Sequence, residues 1–135
     1  MHDIEFRGKR IDNGEWVEGY YYKAKYYRTD DELCDYITVP HPKEYNEPSS
    51  HYIVNAETVG QYTGLKDKNG TKIFEGDIVL LKGDEEPYQV AFDESCFQVY
   101  GNSICYVMDN FYDHDIEVIG NIYDNPELLE GDGSA

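Results

Sequence analysis

The sequence predicts a mainly β protein made of small SH3-like, barrel-type meanders. Three observations support this fold class. Short runs rich in β-branched and aromatic residues recur at close spacing, Gly-containing turn signals separate them, and no stretch keeps a helical periodicity over many turns. We expect an N-terminal β-hairpin at one end of the chain and a short C-terminal helical turn at the other.

The hairpin is predicted in the segment IEFRGKRIDNGEWVEGYYYK, residues 4–23. Its centre is Asn13-Gly14, a dipeptide that accepts the positive φ angles of a tight two-residue turn. Alternation divides the second strand into two faces, one with Trp16, Glu18, Tyr20 and Tyr22 and the other with Val17, Gly19 and Tyr21. Neither face is polar throughout. This strand is therefore expected to be covered on both faces or to lie at a subunit boundary.

Two further strand-like segments flank a predicted loop. LCDYITVP, residues 33–40, is short, β-branched and stopped by a proline. Residues 41–50 combine two prolines with polar side chains, which is typical of a long loop. HYIVNAETVGQYTGL, residues 51–65, resumes the strand pattern with an interruption near Asn55.

The stretch DKNGTKIFEGDIVLL, residues 67–81, is predicted to be architectural rather than part of a site. Asn69-Gly70 supplies a second turn, Gly76 permits a tight corner, and the apolar run from Ile78 begins the next strand. No reactive groups converge within the stretch.

The last third of the chain continues the strand pattern. PYQVAFDESCFQVYG, residues 87–101, predicts two strands around an acidic turn at Asp93 and Glu94, and IEVIGNIYD, residues 116–124, predicts another. Asn125 as a cap and Pro126 in the first helical position predict a single helical turn. Residues 131–135 are expected to form a flexible tail.

Charge and cysteine content narrow the classes of function. The 28 acidic and 11 basic residues give a formal net charge of −17, which disfavours direct binding to nucleic acid or to anionic lipid. No stretch approaches the roughly 18 apolar residues of a membrane span. Three cysteines without a close pair indicate free thiols in a reducing compartment. We expect a cytoplasmic protein with no cofactor.

Three groups of residues contain side chains of the kind that form reactive or metal sites, and each is expected to be structural instead. Asp113-His114-Asp115 lacks a second ligand pair at metal-site spacing. No local pattern pairs a cysteine nucleophile with a histidine base; the residues concerned are Cys34, Cys96, Cys105, His41, His51 and His114. The acidic runs at residues 30–32 and 83–86 lack the ligand spacing of a calcium loop. No catalytic, cofactor-binding or metal residue is therefore predicted.

Aromatic residues near the N-terminus form the one predicted interaction surface, composed of Trp16, Tyr20, Tyr22, Tyr26 and Tyr27. Interleaved Lys23, Lys25 and Arg28 superficially suit the stacking of single-stranded nucleic acid. The net charge opposes that use, so core packing or self-association is the preferred interpretation.

Three phrases in order resemble the YopX family of bacteriophage and prophage proteins. They are FRGKRIDNGEWVEGYYY, ETVGQYTGLKDKNGTKIFEGDIV and EVIGNIYDNPELL. The resemblance runs over residues 4–129 and varies most between residues 26 and 52. It implies a phage-derived, mainly β protein and supplies no catalytic residues. We expect one domain over residues 1–130, with lobes over 1–60 and 61–130 as an alternative description.

The preferred function is that of a non-enzymatic phage or prophage accessory protein that forms a homo-oligomer and binds a host or phage protein. One alternative is an acidic electrostatic decoy that occupies a DNA-binding protein. A third is a metal-dependent hydrolase that uses Asp113, His114 and Asp115. The expected location is the cytoplasm of the bacterial host cell.

Overall fold

The structure is a computed structural model that describes residues 5–25, 33–39, 50–93, 96–101, 104–108 and 115–129. In these ranges eleven strands form two antiparallel sheets, so the prediction of a mainly β fold is confirmed. The described residues contain no helix with the length and hydrophobicity of a membrane span. The chain divides into two compact units, Met1–Gln61 and Tyr62–Ala135.

The first unit is a sheet whose strands follow in the order β4-β3-β2-β1. Their bounds are β1 Phe6–Lys9, β2 Trp16–Lys25, β3 Leu33–Val39 and β4 Ser50–Val54. The predicted N-terminal hairpin is confirmed as β1 and β2, but its turn is longer than the two residues predicted. Arg10 N–H donates to the carbonyl of Glu15, which leaves residues 11–14 in the turn, and Gly14 there has φ 75°. The other edge of β1 pairs with Gly60 and Gln61, the first residues of β5 (Gly60–Lys66).

The chain just beyond β1 also returns to the outer edge of β4. Arg10 forms an isolated bridge with Val54, and Ile11 N–H donates to the carbonyl of Ile53 at 3.1 Å. Asn55 N–H donates to the carbonyl of Lys9 at 2.8 Å. Residues 6–11 therefore form backbone hydrogen bonds with β2, with the start of β5 and with β4.

One face of this sheet is its core face. Ile37 and Val54 are buried there, and the rings of Phe6 and Tyr21 lie 5.4 Å apart. Gly19 lies on the same face, where a Cβ atom would stand 2.1 Å from the carbonyl oxygen of Thr38. Close packing of β2 against β3 therefore requires glycine at this position.

The predicted interruption near Asn55 is confirmed. A 3-10 turn, Ala56–Thr58, separates β4 from β5, and the Asn55 side chain accepts the N–H of Glu57 at 3.0 Å. The predicted loop at residues 41–50 lies outside the described residues except for Ser50, which belongs to β4 and not to the loop.

The second unit contains the remaining strands, β6 Lys72–Phe74, β7 Asp77–Leu81, β8 Pro87–Asp93, β9 Cys96–Gly101, β10 Ile104–Val107 and β11 Ile116–Asn121. β6 pairs with β5, and the other five form a sheet in the order β10-β9-β8-β7-β11. Tyr88, Val90 and Val99 are among the fully buried core residues. The strands predicted in residues 87–101 and 116–124 are confirmed, whereas β10 was not predicted.

The predicted barrel is not closed by the strands that the structure describes. β10 and β11 stand at opposite ends of the five-strand order, and no pairing joins them within the described ranges. The C-terminal element was predicted as a helical turn and is a 3-10 turn, Pro126–Leu129. Asn125 accepts the N–H of Leu128 through its carbonyl, while its side-chain oxygen accepts the N–H of Asn121. The predicted tail lies outside the described residues.

The stretch over residues 67–81 forms two glycine turns and the strands β6 and β7. Gly70 and Gly76 have φ angles of 82° and 94°, as their turns require. Asp77 is buried, and its Oδ2 accepts the N–H of Phe74 at 2.7 Å, which fastens the turn before β7.

Candidate functional site

The predicted interaction surface is partly assembled on the face of the first sheet that lies opposite its core. Antiparallel register places Tyr36 of β3 beside Tyr22 of β2, and His51 of β4 beside Thr38 of β3. Since side chains alternate along each strand, these residues share one face. We call it the aromatic face, composed of Trp16, Tyr20, Tyr22, Tyr36 and His51. Tyr26 and Tyr27 lie outside the described residues.

The centre of the aromatic face is a row of three rings. Tyr22 and Tyr36 stack with centroids 5.1 Å apart and planes 10° apart, and His51 meets Tyr22 edge-on at 6.2 Å. The hydroxyls of Tyr22 and Thr38 lie 3.1 and 2.8 Å from His51 Nδ1. Ring stacking and these polar contacts hold the row in place. Tyr20 lies beyond the row with 49% of its surface exposed.

The other end of the aromatic face carries positive charge. The Arg7 guanidinium carbon lies 4.7 Å from the centre of the Trp16 ring, and Lys9 Nζ lies 5.6 Å from it. Both are within the range of a cation–π interaction. Glu18 stands opposite Arg7 in the register, so this group holds two cations and one carboxylate. It is a locally basic place in a strongly acidic chain.

A shallow pocket of about 420 Å³ adjoins His51 at the β4 edge, lined by Arg10, Ile11, Asp12, His51, Tyr52 and Ile53. The Arg10 guanidinium binds both carboxylate oxygens of Asp12, at 2.9 and 2.6 Å, and lies 4.3 Å from the centre of the Tyr52 ring. The hydrogen bond from Arg10 lowers the pKa of Asp12. This pocket therefore lies between His51 of the aromatic face and the Arg10 guanidinium with the exposed Ile11 at the β4 edge.

Tyr36 and His51 were not predicted as members of the surface. Neither is adjacent in sequence to the aromatic group, and only the pairing of β2, β3 and β4 brings them to it. Alternation alone does place Trp16, Tyr20 and Tyr22 together, as predicted.

Among the described residues, no hydrogen bond joins a cysteine to His51. His51 Nδ1 is in contact with the hydroxyls of Tyr22 and Thr38, as given above. Cys105 Sγ donates to Gln98 Oε1 at 2.6 Å, and Cys96 Sγ accepts from Gln98 Nε2 at 3.3 Å. His41, Asp113 and His114 lie outside the described residues. Within the described ranges no three His, Cys, Asp or Glu side chains are grouped to hold a metal ion.

The acidic run at residues 83–86 is a turn. Asp84 accepts the Tyr88 hydroxyl at 2.6 Å and the N–H of Glu86 at 3.0 Å. These two hydrogen bonds lower the pKa of Asp84, and the bond with Tyr88 raises the pKa of that phenol to about 12. The other acidic run, residues 30–32, lies outside the described residues.

A family described as YopX protein matches residues 5–130 of this chain, which is nearly its whole length. The chain belongs to the YopX family. The resemblance found in the sequence is thereby confirmed. The fold is similar to the crystal structure of protein EF1440 from Enterococcus faecalis, with a TM-score of 0.56 and 26% sequence identity over 96% of this chain and 100% of that chain. Among curated proteins none matches this YopX protein.

Proposed function

We propose that this YopX protein is a non-enzymatic phage or prophage accessory protein that forms a homo-oligomer. We propose further that it binds a different protein through its aromatic face. The observation that carries the proposal is the exposure of Tyr20 and Tyr22 beside Trp16 on an ordered sheet face. Tyrosine, tryptophan and arginine are enriched among the residues that dominate binding energy at protein interfaces. Stacked, hydrogen-bonded rings also lose little side-chain entropy when a partner binds.

The charges on the aromatic face indicate the chemistry of the partner. Arg7 and Lys9 lie over Trp16. A partner segment that carries acidic side chains would be attracted electrostatically to the positive charges of Arg7 and Lys9. Phosphate backbones are less suited, since the net charge of −17 repels them at longer range.

An SH3-like arrangement of the strands in the second unit is also part of the proposal. In an SH3-like meander the last strand returns to the first, and β11 pairs with β7 in that way. In this proposal the meander stays open between β10 and β11, which stand at opposite ends of the strand order, so it is SH3-like without closing into a barrel. The non-enzymatic assignment, the phage origin and the location in the bacterial cytoplasm are likewise proposals, motivated by the family and by the polar partners of His51.

Partner binding is tested by affinity capture from bacterial lysate with and without phage infection. The natural chain is compared with a Tyr20→Ala/Tyr22→Ala double variant and with Tyr100→Ala. Tyr100 is a matched control because it is 43% exposed but lies on β9 in the other unit. A protein captured by the natural chain and by Tyr100→Ala, and lost from the double variant, is expected. Equal capture by all three chains would contradict binding through the aromatic face.

Self-association is tested separately by sedimentation velocity over a concentration series. A sedimentation coefficient that rises with concentration is expected. A single monomeric species at the highest concentration would remove self-association from the proposal and leave partner binding to the capture experiment.

A further inference from the structure

β10 is an edge strand with unusual side chains for that position. Among the described residues it pairs with β9 on one side only, and all four of its residues are exposed. Ile104, Tyr106 and Val107 are large and apolar or aromatic. Soluble proteins usually protect such an edge with lysine, proline or a bulge, and the sequence of β10, ICYV, contains neither lysine nor proline.

The charge pattern around β10 separates it from the rest of the chain. Residues 95–108 form the longest run without Asp, Glu, Lys, Arg or His, in a chain of 135 residues with 28 acidic and 11 basic side chains. Two copies with a net charge of −17 repel each other, so electrostatic repulsion opposes a contact least where the side chains carry no charge. β10 lies within this run.

Apolar surface continues from β10 to side chains of β5 and β9 within the second unit. Val107 of β10 lines a pocket of about 250 Å³ together with Met108, Phe97 and Leu65. Its remaining lining residues are Thr63 and Cys96. An added strand at the β10 edge would therefore lie beside apolar rather than charged side chains.

We infer that β10 pairs with β10 of a second copy of this chain, antiparallel about a two-fold axis, and that this seam produces the self-association in the proposed function, on which the inference rests. A two-fold axis normal to the sheet keeps equivalent faces on the same side. Directly opposite residues must then share a face, so one residue of β10 lies on the axis, and the largest overlap of the two four-residue strands places Cys105 or Tyr106 there. In both registers the two Cys105 side chains are direct or diagonal cross-strand neighbours, with Cα atoms within about 8 Å.

The test uses the Cys105 thiol, which is exposed, in a Cys34→Ser/Cys96→Ser background. A short bismaleimide is expected to give a covalent dimer at concentrations where sedimentation shows association. Ile104→Lys should abolish both the cross-link and the association. Because this substitution makes the net charge less negative, a loss of association is not due to stronger repulsion between the net charges of the two copies. Ile104→Thr, which keeps a β-branched residue, should retain both.

Tyr100→Lys is the matched charge control. Tyr100 is as exposed as Ile104, 43% against 42%, but it lies one strand further from the edge, on β9. It should leave the association measured by sedimentation in place, which is the readout for this variant because Tyr100 pairs directly with Cys105. Association that persists in Ile104→Lys, or without a Cys105 cross-link, would overturn the β10 seam while leaving self-association intact. A natural chain that is monomeric throughout would overturn both.

Discussion

Asp67 accepts the backbone N–H of Val118 through Oδ2 at 2.9 Å, although 51 residues separate them in the sequence. Its other oxygen accepts the N–H groups of Asn69 and Thr71, both at 2.9 Å. One buried carboxylate thus shapes its own turn and fastens that turn to β11. The turn that looks purely local in the sequence is a long-range link in the second unit.

Asp67→Asn is expected to lower the free energy of unfolding by about 2 kcal/mol, because the amide group would oppose the Val118 N–H with another donor. Urea unfolding at pH 7 measures the change. Asp12→Asn is the control, since it alters an exposed ion pair and should have little effect. Equal stability of the two variants would contradict the role given to Asp67.

The stabilisation by Asp67 should depend on pH. Burial alone would raise the pKa of Asp67, but the N–H donors of Val118, Thr71 and Asn69, with the nearby Lys68, lower it overall. The folded-state pKa therefore lies below the unfolded value of about 3.9, so the stabilisation is complete above that value and is lost as pH falls through the folded-state pKa. The difference between natural and Asp67→Asn chains should shrink in urea titrations taken from pH 7 to below pH 3.

Gly19→Ala should destabilise the first unit strongly. The new Cβ would stand 2.1 Å from the carbonyl oxygen of Thr38, which the backbone of β3 cannot vacate without losing its pairing. We expect a loss of about 3 kcal/mol or more. Gly14→Ala is the control, because its Cβ meets open space and only its φ of 75° is unfavourable, at about 1 kcal/mol. Similar losses in both variants would show that the close approach is unimportant.

Tyr21 should ionise late in an alkaline titration. Burial, and then the hydrogen bond to Asp35 at 2.5 Å, raise the pKa of Tyr21 to about 12. Its stabilising effect is present below the unfolded pKa of about 10 and is lost as pH rises through the folded value. Asp35→Asn should move one late phenol towards pH 10 in absorbance at 295 nm. Asp84→Asn should instead move Tyr88, and no change in either variant would contradict both assignments.

Divalent cations should not stabilise the protein. Melting temperatures are expected to be unchanged by Mg²⁺, Ca²⁺, Mn²⁺ or Zn²⁺, with EDTA-treated protein as the reference. A saturable rise in melting temperature with one of these ions would favour the metal-dependent alternative at Asp113, His114 and Asp115.

Local chemistry was sufficient to predict much of the fold. The turn at Asn13-Gly14, the interruption at Asn55 and the strand after Gly76 follow from residue preferences over a few positions. β10 was not predicted, although its sequence ICYV is a short run of β-branched and aromatic residues, a pattern that favours a strand. The C-terminal turn has only four residues, too few for sequence to separate a 3-10 turn from an α-helical one.

The candidate site was predictable only along one strand. Period-two alternation placed Trp16, Tyr20 and Tyr22 together, whereas Tyr36 and His51 joined them through strand pairing. The hydrogen bond between Asp67 and Val118 was not predicted for the same reason, since the sequence around Asp67 does not indicate a partner 51 residues away.

The double attachment of β1 has a consequence for how the chain folds during synthesis. The β1–β2 hairpin needs only contacts close in sequence and can form as soon as residue 25 is available. The other edge of β1 and the following Arg10 can form their hydrogen bonds only after residues 53–61 are synthesised, because these residues contain Val54 and the start of β5. Within the first unit, β1 is thus synthesised before every strand it pairs with and fills its second edge only at β5, so the nascent hairpin exposes an unpaired edge until about residue 61 leaves the ribosome.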